Sequence, residues 1–260
     1  MILRRVIEHM KHQHWTAIWI DLVIVILGVF IGTQVSNWNT ERETRQKSAG
    51  FTERLKADLK VEAWAYEYLI YYNKDVMANA RRALDALAED RPLSDEQFVI
   101  SAYRATQYEA SDRRRATYDE LVSTGTISLI VDQRLRETAI MVYATPLIDQ
   151  IMNSGKQSEY REMFRKTVSA PVQQALMNQC SDRIVLPLDY AGIVHALDYA
   201  CRLSLPVETI HAAAQALRSR EGLVPALQLR FADVGTDLVN LEQYSPLLLR
   251  NLREVAGRRK

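Results

Sequence analysis

The chain has 260 residues with 33 Lys and Arg against 32 Asp and Glu, so it lacks the basic excess of a nucleic-acid-binding protein. Two Cys exclude a disulfide-dense scaffold and a four-Cys zinc site, and nine Gly with seven Pro are too few for a sandwich or barrel that turns every ten residues. A hydrophobic share of 48% excludes a disordered polyelectrolyte.

Residues 1–15 carry Arg4, Arg5, Lys11, His9, His12, His14 and Trp15. They read as a short cytoplasmic amphipathic stub lying at a membrane surface, a reading preferred over a three-histidine metal site. Residues 16–36 open with TAIWIDLVIVILGVFIGTQV, and Leu22 to Ile31 contains no polar side chain. Twenty helical residues rise about 30 Å, the thickness of a bilayer's hydrocarbon core. Trp15 and Trp19 at one end and Trp38 at the other suit the two aromatic belts. A signal peptide would exit through small residues, and Gln34-Val35-Ser36-Asn37-Trp38 is a poor cleavage site. The expectation is one uncleaved transmembrane helix.

Asp21, Gly28 and Gly32 share one face of that helix with Val25 and Val35. A small-x-x-x-small pair beside an acid suggests a helix–helix contact. An ion pathway and simple solvation of Asp21 near the helix start remain alternatives. Beyond the span, Asn37, Trp38 and Asn39 read as interfacial anchors. Thr40 and Glu43 have capping-box spacing, so a new helix is expected to start there.

Residues 37–91 contain no Pro, and apolar side chains recur with helical period from Phe51 to Leu87. They read as one long stalk helix, with a break near Gly50 as the alternative. Trp64, Tyr66, Tyr68, Tyr71 and Tyr72 crowd nine positions of it. Trp64, Tyr68 and Tyr71 are the candidate partner surface, with core packing the companion reading.

Residues 92–260 read as a helical domain. Ser94 and Gln97 form a capping box opening a helix to about residue 110. A helix from about 114 ends at Gly125, and Asp132 caps the next, which stops before Pro146. Further helices are expected at 147–168, 170–179, 189–203, 206–220, 225–242 and 246–257, the last capped by Ser245. The run Thr126 to Val131 is β-branched, but a strand there would have no partner. The fold class is therefore all-α: one N-terminal transmembrane helix, a long stalk helix and an extramembrane helical bundle.

Two segments carry a resemblance. Asp21, then Val/Ile/Gly-rich sequence, then Gln34, Asn37, Trp38, Asn39 and Arg42 resemble the juxtamembrane box of a bacterial single-span membrane protein family of unknown function. Asp21 stands where that family usually has Glu, and Thr33 and Thr40 depart from the box. Tyr118-Asp119-Glu120-Leu121-Val122-Ser123-Thr124-Gly125, with Ile127 to Ile130 and Leu135-Arg136, is similar to a second segment of that family. The resemblance covers roughly the first 145 residues. It implies one span with the N-terminus inside and the rest outside, and it adds no chemistry.

Orientation is otherwise weakly marked, since basic residues flank the span on both sides. Cys180 and Cys201 are the one available pair. A periplasmic disulfide and two buried thiols are both open. No glycine-rich phosphate loop and no nucleophile elbow occurs. Glu208 and His211 have di-iron spacing, but such sites need two copies. No catalytic, cofactor-binding or metal-ligating residue is nominated, and an enzyme is the least favoured class. The expected partners are the lipid bilayer and either a second copy or another membrane protein, with no nucleic acid. The leading expectation is a single-pass bacterial inner-membrane protein with a periplasmic helical domain and a structural or interaction role. The alternatives are an extracytoplasmic sensor or ligand-binding module, and an ion-coupled subunit using Asp21.

Overall fold

The computed structural model describes residues 15–110, 112–197 and 199–258. Among these the chain is helical with no strand. The expected stub at 1–15, apart from Trp15, lies outside the described residues. Contacts divide the chain into two units, one formed by the chain up to Glu53 with Ser128–Val131, the other by Arg54–Ile127 and Asp132–Lys260.

Helix α1 is a single helix, Trp15–Leu87. The long helix runs unbroken through Gly50, and the expected fresh start at Thr40 does not occur. With no proline to remove an amide donor, nothing interrupts the i to i−4 ladder. The Thr40 hydroxyl donates back to the Ser36 carbonyl, so it serves the existing helix instead of capping a new one.

In the first unit the apolar stretch is uncovered. Trp19, Leu22, Val25, Leu27, Val29, Phe30, Ile31 and Val35 are all exposed. One described helix is long and apolar enough to cross a membrane, and its most apolar window has no buried residue. Past Trp38 the surface turns polar, with Arg45–Glu41 and Lys47–Glu43 pairs one turn apart. Ile127–Leu129 is a single 3-10 turn where a strand was conceivable. The Ser48 hydroxyl donates to the Leu129 carbonyl.

In the second unit the long helix is built into the bundle. From Leu55 onward α1 is a core element, with Leu55, Leu59, Ala63, Tyr66, Leu69, Val76, Ala80 and Ala83 buried. Its apolar stripe finds partners in its own chain. Around it lie α2 (Asp95–Arg104), α3 (Ala116–Ser123), α4 (Gln133–Ala144), α5 (Leu147–Lys156), α6 (Glu159–Thr167), α7 (Ala170–Gln179), α8 (Tyr190–Leu197), α9 (Val207–Arg218), α10 (Leu223–Val239) and α11 (Pro246–Val255).

The main core joins Ala80 and Ala83 of α1 to Phe98 and Ala102, Tyr160 and Phe164, Val172 and Leu176, Ile210 and Leu217, and Leu223 and Leu227. Each large side chain buried there stabilises the fold by about 1.5–3 kcal/mol. Helix α9 packs on α2, and α11 on α4.

Several boundaries follow their caps. Ser94 and Gln97 make the reciprocal capping box, Asp132 accepts from the Leu135 amide, and Gly125 stands at φ +68° just past α3. Others depart. The single helix expected at 147–168 is two, separated at Gln157–Ser158. The helix expected at 189–203 ends at Leu197, and Ser245 makes no side-chain cap. Between α10 and α11 the chain widens into a π-turn, Asn240–Tyr244.

Candidate functional site

Three features have the chemistry of contact, two of them open and one covered by the chain itself. The first is the apolar part of α1. Asp21, Gly28 and Gly32 are exposed there, and a Cβ on either glycine would meet nothing within 4 Å. Trp15, Trp19, Asn37, Trp38 and Asn39 are also exposed. That leaves a bare face on which glycines admit close approach of another backbone.

The second surface is an aromatic column on α1. Trp64, Tyr68 and Tyr72 are four residues apart, so a helix stacks them on one face. The Trp64 and Tyr68 rings are parallel at 5.2 Å, and Tyr68 meets Tyr72 edge-on at 5.8 Å. Trp64 and Tyr68 were candidates for a partner surface, and the structure corrects this: both are buried. The segment after α7 lies over them. The Trp64 indole donates to the Asp189 carbonyl at 3.1 Å, and the Tyr72 hydroxyl to the Asp182 carboxylate at 2.7 Å. Tyr71, one position off this face, remains exposed, with the Lys74 ammonium 6.0 Å from its ring centre.

Burial of this column shifts its acids. Desolvation holds the Tyr72 and Tyr68 hydroxyls well above the ordinary tyrosine range, reinforced by Asp182 and Glu109. Desolvation raises the pKa of the Asp182 carboxyl, while the Tyr72 hydrogen bond opposes that rise. Desolvation likewise pushes Tyr66 up to about 12, its hydroxyl donating to the Leu241 carbonyl in the π-turn at 2.9 Å.

Cys180 and Cys201 close this segment as a disulfide with Cα atoms 5.3 Å apart, a separation in the usual range. Beside it the Tyr199 ring lies between two guanidinium groups, Arg183 at 3.7 Å and Arg104 at 4.5 Å, and Arg104 also donates to the Tyr199 carbonyl.

The third surface is an open groove of about 600 Å³ between α4 and α11. Ile140, Met141 and Leu247 supply its apolar lining, with Arg134, Arg250, Glu137 and Glu254 also along it. Mixed charge around an apolar strip suits an amphipathic ligand or peptide.

Three buried charged residues that the sequence does not single out tie this unit together. Glu62 accepts from the Arg113 guanidinium at 2.7 Å and from the Arg114 amide at 2.6 Å. Glu67 pairs with Arg253 at 3.0 Å, tying α11 to α1. Arg230 is buried and donates to the Gln107 carbonyl at 2.9 Å, satisfying backbone just past α2. Their one signal in the sequence is a charge placed on an apolar stripe, as Glu62 is. Cys180, Glu208 and His211 do not come together as a metal site, and among the described residues no group of three metal-ligating side chains occurs. His211 instead meets Asp95 at 2.6 Å on the surface.

Compared with family models, with curated proteins and with solved structures, the chain matches none.

Proposed function

We propose that this chain is a membrane-anchored interaction protein. Helix α1 crosses a bacterial inner membrane once through residues 16–36, and the helical unit beyond it stands in the periplasm, working as a homo-oligomer or as a subunit of a membrane complex. The observation that carries this reading is the uncovered apolar stretch of α1. No described residue buries it, although the second unit has a closed core of its own, and an apolar surface of that length in water is unfavourable. The disulfide supports an oxidising compartment.

Paired C-terminal fusions to alkaline phosphatase and to a fluorescent protein test the orientation. Phosphatase activity with a dark fluorescent protein is the expected result, and the reverse pattern overturns it. Cross-linking in native membranes tests the interaction role, where monomer alone with no co-purifying partner counts against it.

The groove between α4 and α11 favours a second reading, a ligand-binding module that signals through another subunit. A rise in melting temperature with one member of a metabolite panel supports that reading, and a flat response across the panel opposes it.

A further inference from the structure

We propose that the Cys180–Cys201 disulfide is a releasable fastener, and that the segment it closes is a strap able to lift from the Trp64–Tyr68–Tyr72 column while the rest of the helical unit stays folded. The strap's opening does not depend on which side of a membrane the unit occupies.

The first ground is where the apolar burial lies. The main core includes Cys180 on one side and Leu203 on the other, with Cys201 and Leu205 packed against it. None of its members falls between the two cysteines. Ile193, Ala196 and Leu197 of α8 are buried, but they are not among the described members of that core. Strap and core are therefore distinct packing units, the arrangement in which local opening leaves the remainder intact.

The second ground is what holds the strap down. Its cross-contacts include Tyr72 to Asp182, Trp64 to the Asp189 carbonyl, Arg104 to Tyr199, and the Arg258 guanidinium 3.8 Å over the Tyr190 ring. These are polar contacts, exchangeable for water. Much of the strap's own apolar surface faces outward, with Ile184 95% and Leu186 70% exposed. Leu188 stands at φ +74°, a conformation a leucine rarely adopts, so closure holds a strained residue that opening relaxes. The disulfide, spanning 21 positions, is the one covalent restraint.

The chemistry is thiol–disulfide exchange with a dithiol. Cys201 is partly exposed and Cys180 is buried, so the incoming thiolate attacks the Cys201 Sγ. The S–S bond breaks, and Cys180 leaves as a thiolate and takes up a proton. The reductant's second thiol, giving up its proton, then displaces Cys201, which is protonated in turn. The dithiol ends as a disulfide and both cysteines as thiols. Opened, the protein presents Trp64, Tyr68 and Tyr72, an aromatic face of the kind enriched at protein interfaces.

The test is amide hydrogen exchange on the full-length protein in detergent micelles, with and without dithiothreitol. Reduction should speed exchange in residues 190–197 at least tenfold and leave residues 55–83 and 207–218 protected as before. Cys180→Ser with Cys201→Ser should reproduce this without reductant, and if that variant does not fold, the reduced native protein decides. In a protein whose other tryptophans (15, 19 and 38) are Phe, acrylamide quenching of Trp64 should rise on reduction. Unchanged exchange at 190–197 overturns the proposal. So does an equal loss of protection in all three segments, which would make the disulfide a staple of the whole unit.

Discussion

Glu62 and Arg113 are nearly closed off from solvent; without Arg113 the Glu62 carboxylate would be an uncompensated buried charge, and without Glu62 the guanidinium would keep only the longer ion pair with Asp149 at 3.4 Å. The Arg113 guanidinium also donates to the Val142 carbonyl at 3.0 Å, so the pair fastens the loop before α3 to α1 and α4. Glu62→Ala should destabilise the helical unit by about 3–5 kcal/mol, whereas replacing both partners with apolar residues should recover most of that loss. Urea denaturation of the single and double variants measures both. Asp237 works in the opposite sense. Desolvation raises its pKa to about 6, with Asp233 adding to the rise and Arg230 opposing it. The folded state therefore holds a proton that the unfolded chain releases near pH 4, and stability falls as pH rises from about 4 to 6. Asp237→Asn should gain about 1 kcal/mol at pH 7, after allowance for solvent screening, and nothing at pH 4. Melting curves at the two pH values read the difference.

At the scale of elements, caps and close approaches decide where helices stop. Asp132 caps α4 through the Leu135 amide at 3.1 Å. Asp132→Ala should cost about 1 kcal/mol, read from the thermal midpoint. Gly155, near the end of α5, is tighter. A Cβ there would fall 2.6 Å from the Tyr108 Cβ, with the Arg230 guanidinium beyond it at 3.4 Å. Gly155→Ala should therefore overpack the contact with Tyr108 and cost about 1–3 kcal/mol despite alanine's better helix propensity. This contact also explains why α5 and α6 are two helices. At Gly155 α5 passes close against Arg230, and the chain must turn to bring Tyr160 onto α2, where its hydroxyl donates to the Ala102 carbonyl at 2.9 Å. Nothing local to residues 147–168 announces that turn, because its cause lies on other helices.

For the molecule as a whole, the exposed apolar stretch of α1 and the self-sufficient core of the second unit are the two facts a function must reconcile. If residues 16–36 span a membrane, Val25→Lys with Val29→Lys should release the chain from the membrane fraction or abolish its accumulation, since each lysine near a span's centre adds about 2.5–3.5 kcal/mol to insertion. Fractionation at high salt and at alkaline pH distinguishes an integral from a peripheral protein. Continued resistance of the double variant to both extractions would contradict the anchor.

Helical character, the apolar stretch, the Ser94 and Asp132 caps and the Gly125 stop are legible in the sequence, because each depends on residues within a turn or two of one another. The fate of α1 beyond Glu53 is not. Its stripe demands a partner, but the sequence alone does not say whether that partner is another copy or the rest of the same chain. The same gap misplaced Trp64 and Tyr68, whose aromatic surface suits an interface or a core equally well until the strap is seen above them. Local periodicity thus determined what the helices are. Only the tertiary structure decided which faces stay open, because burial depends on contacts between residues more than 100 positions apart, such as Trp64 with Asp189.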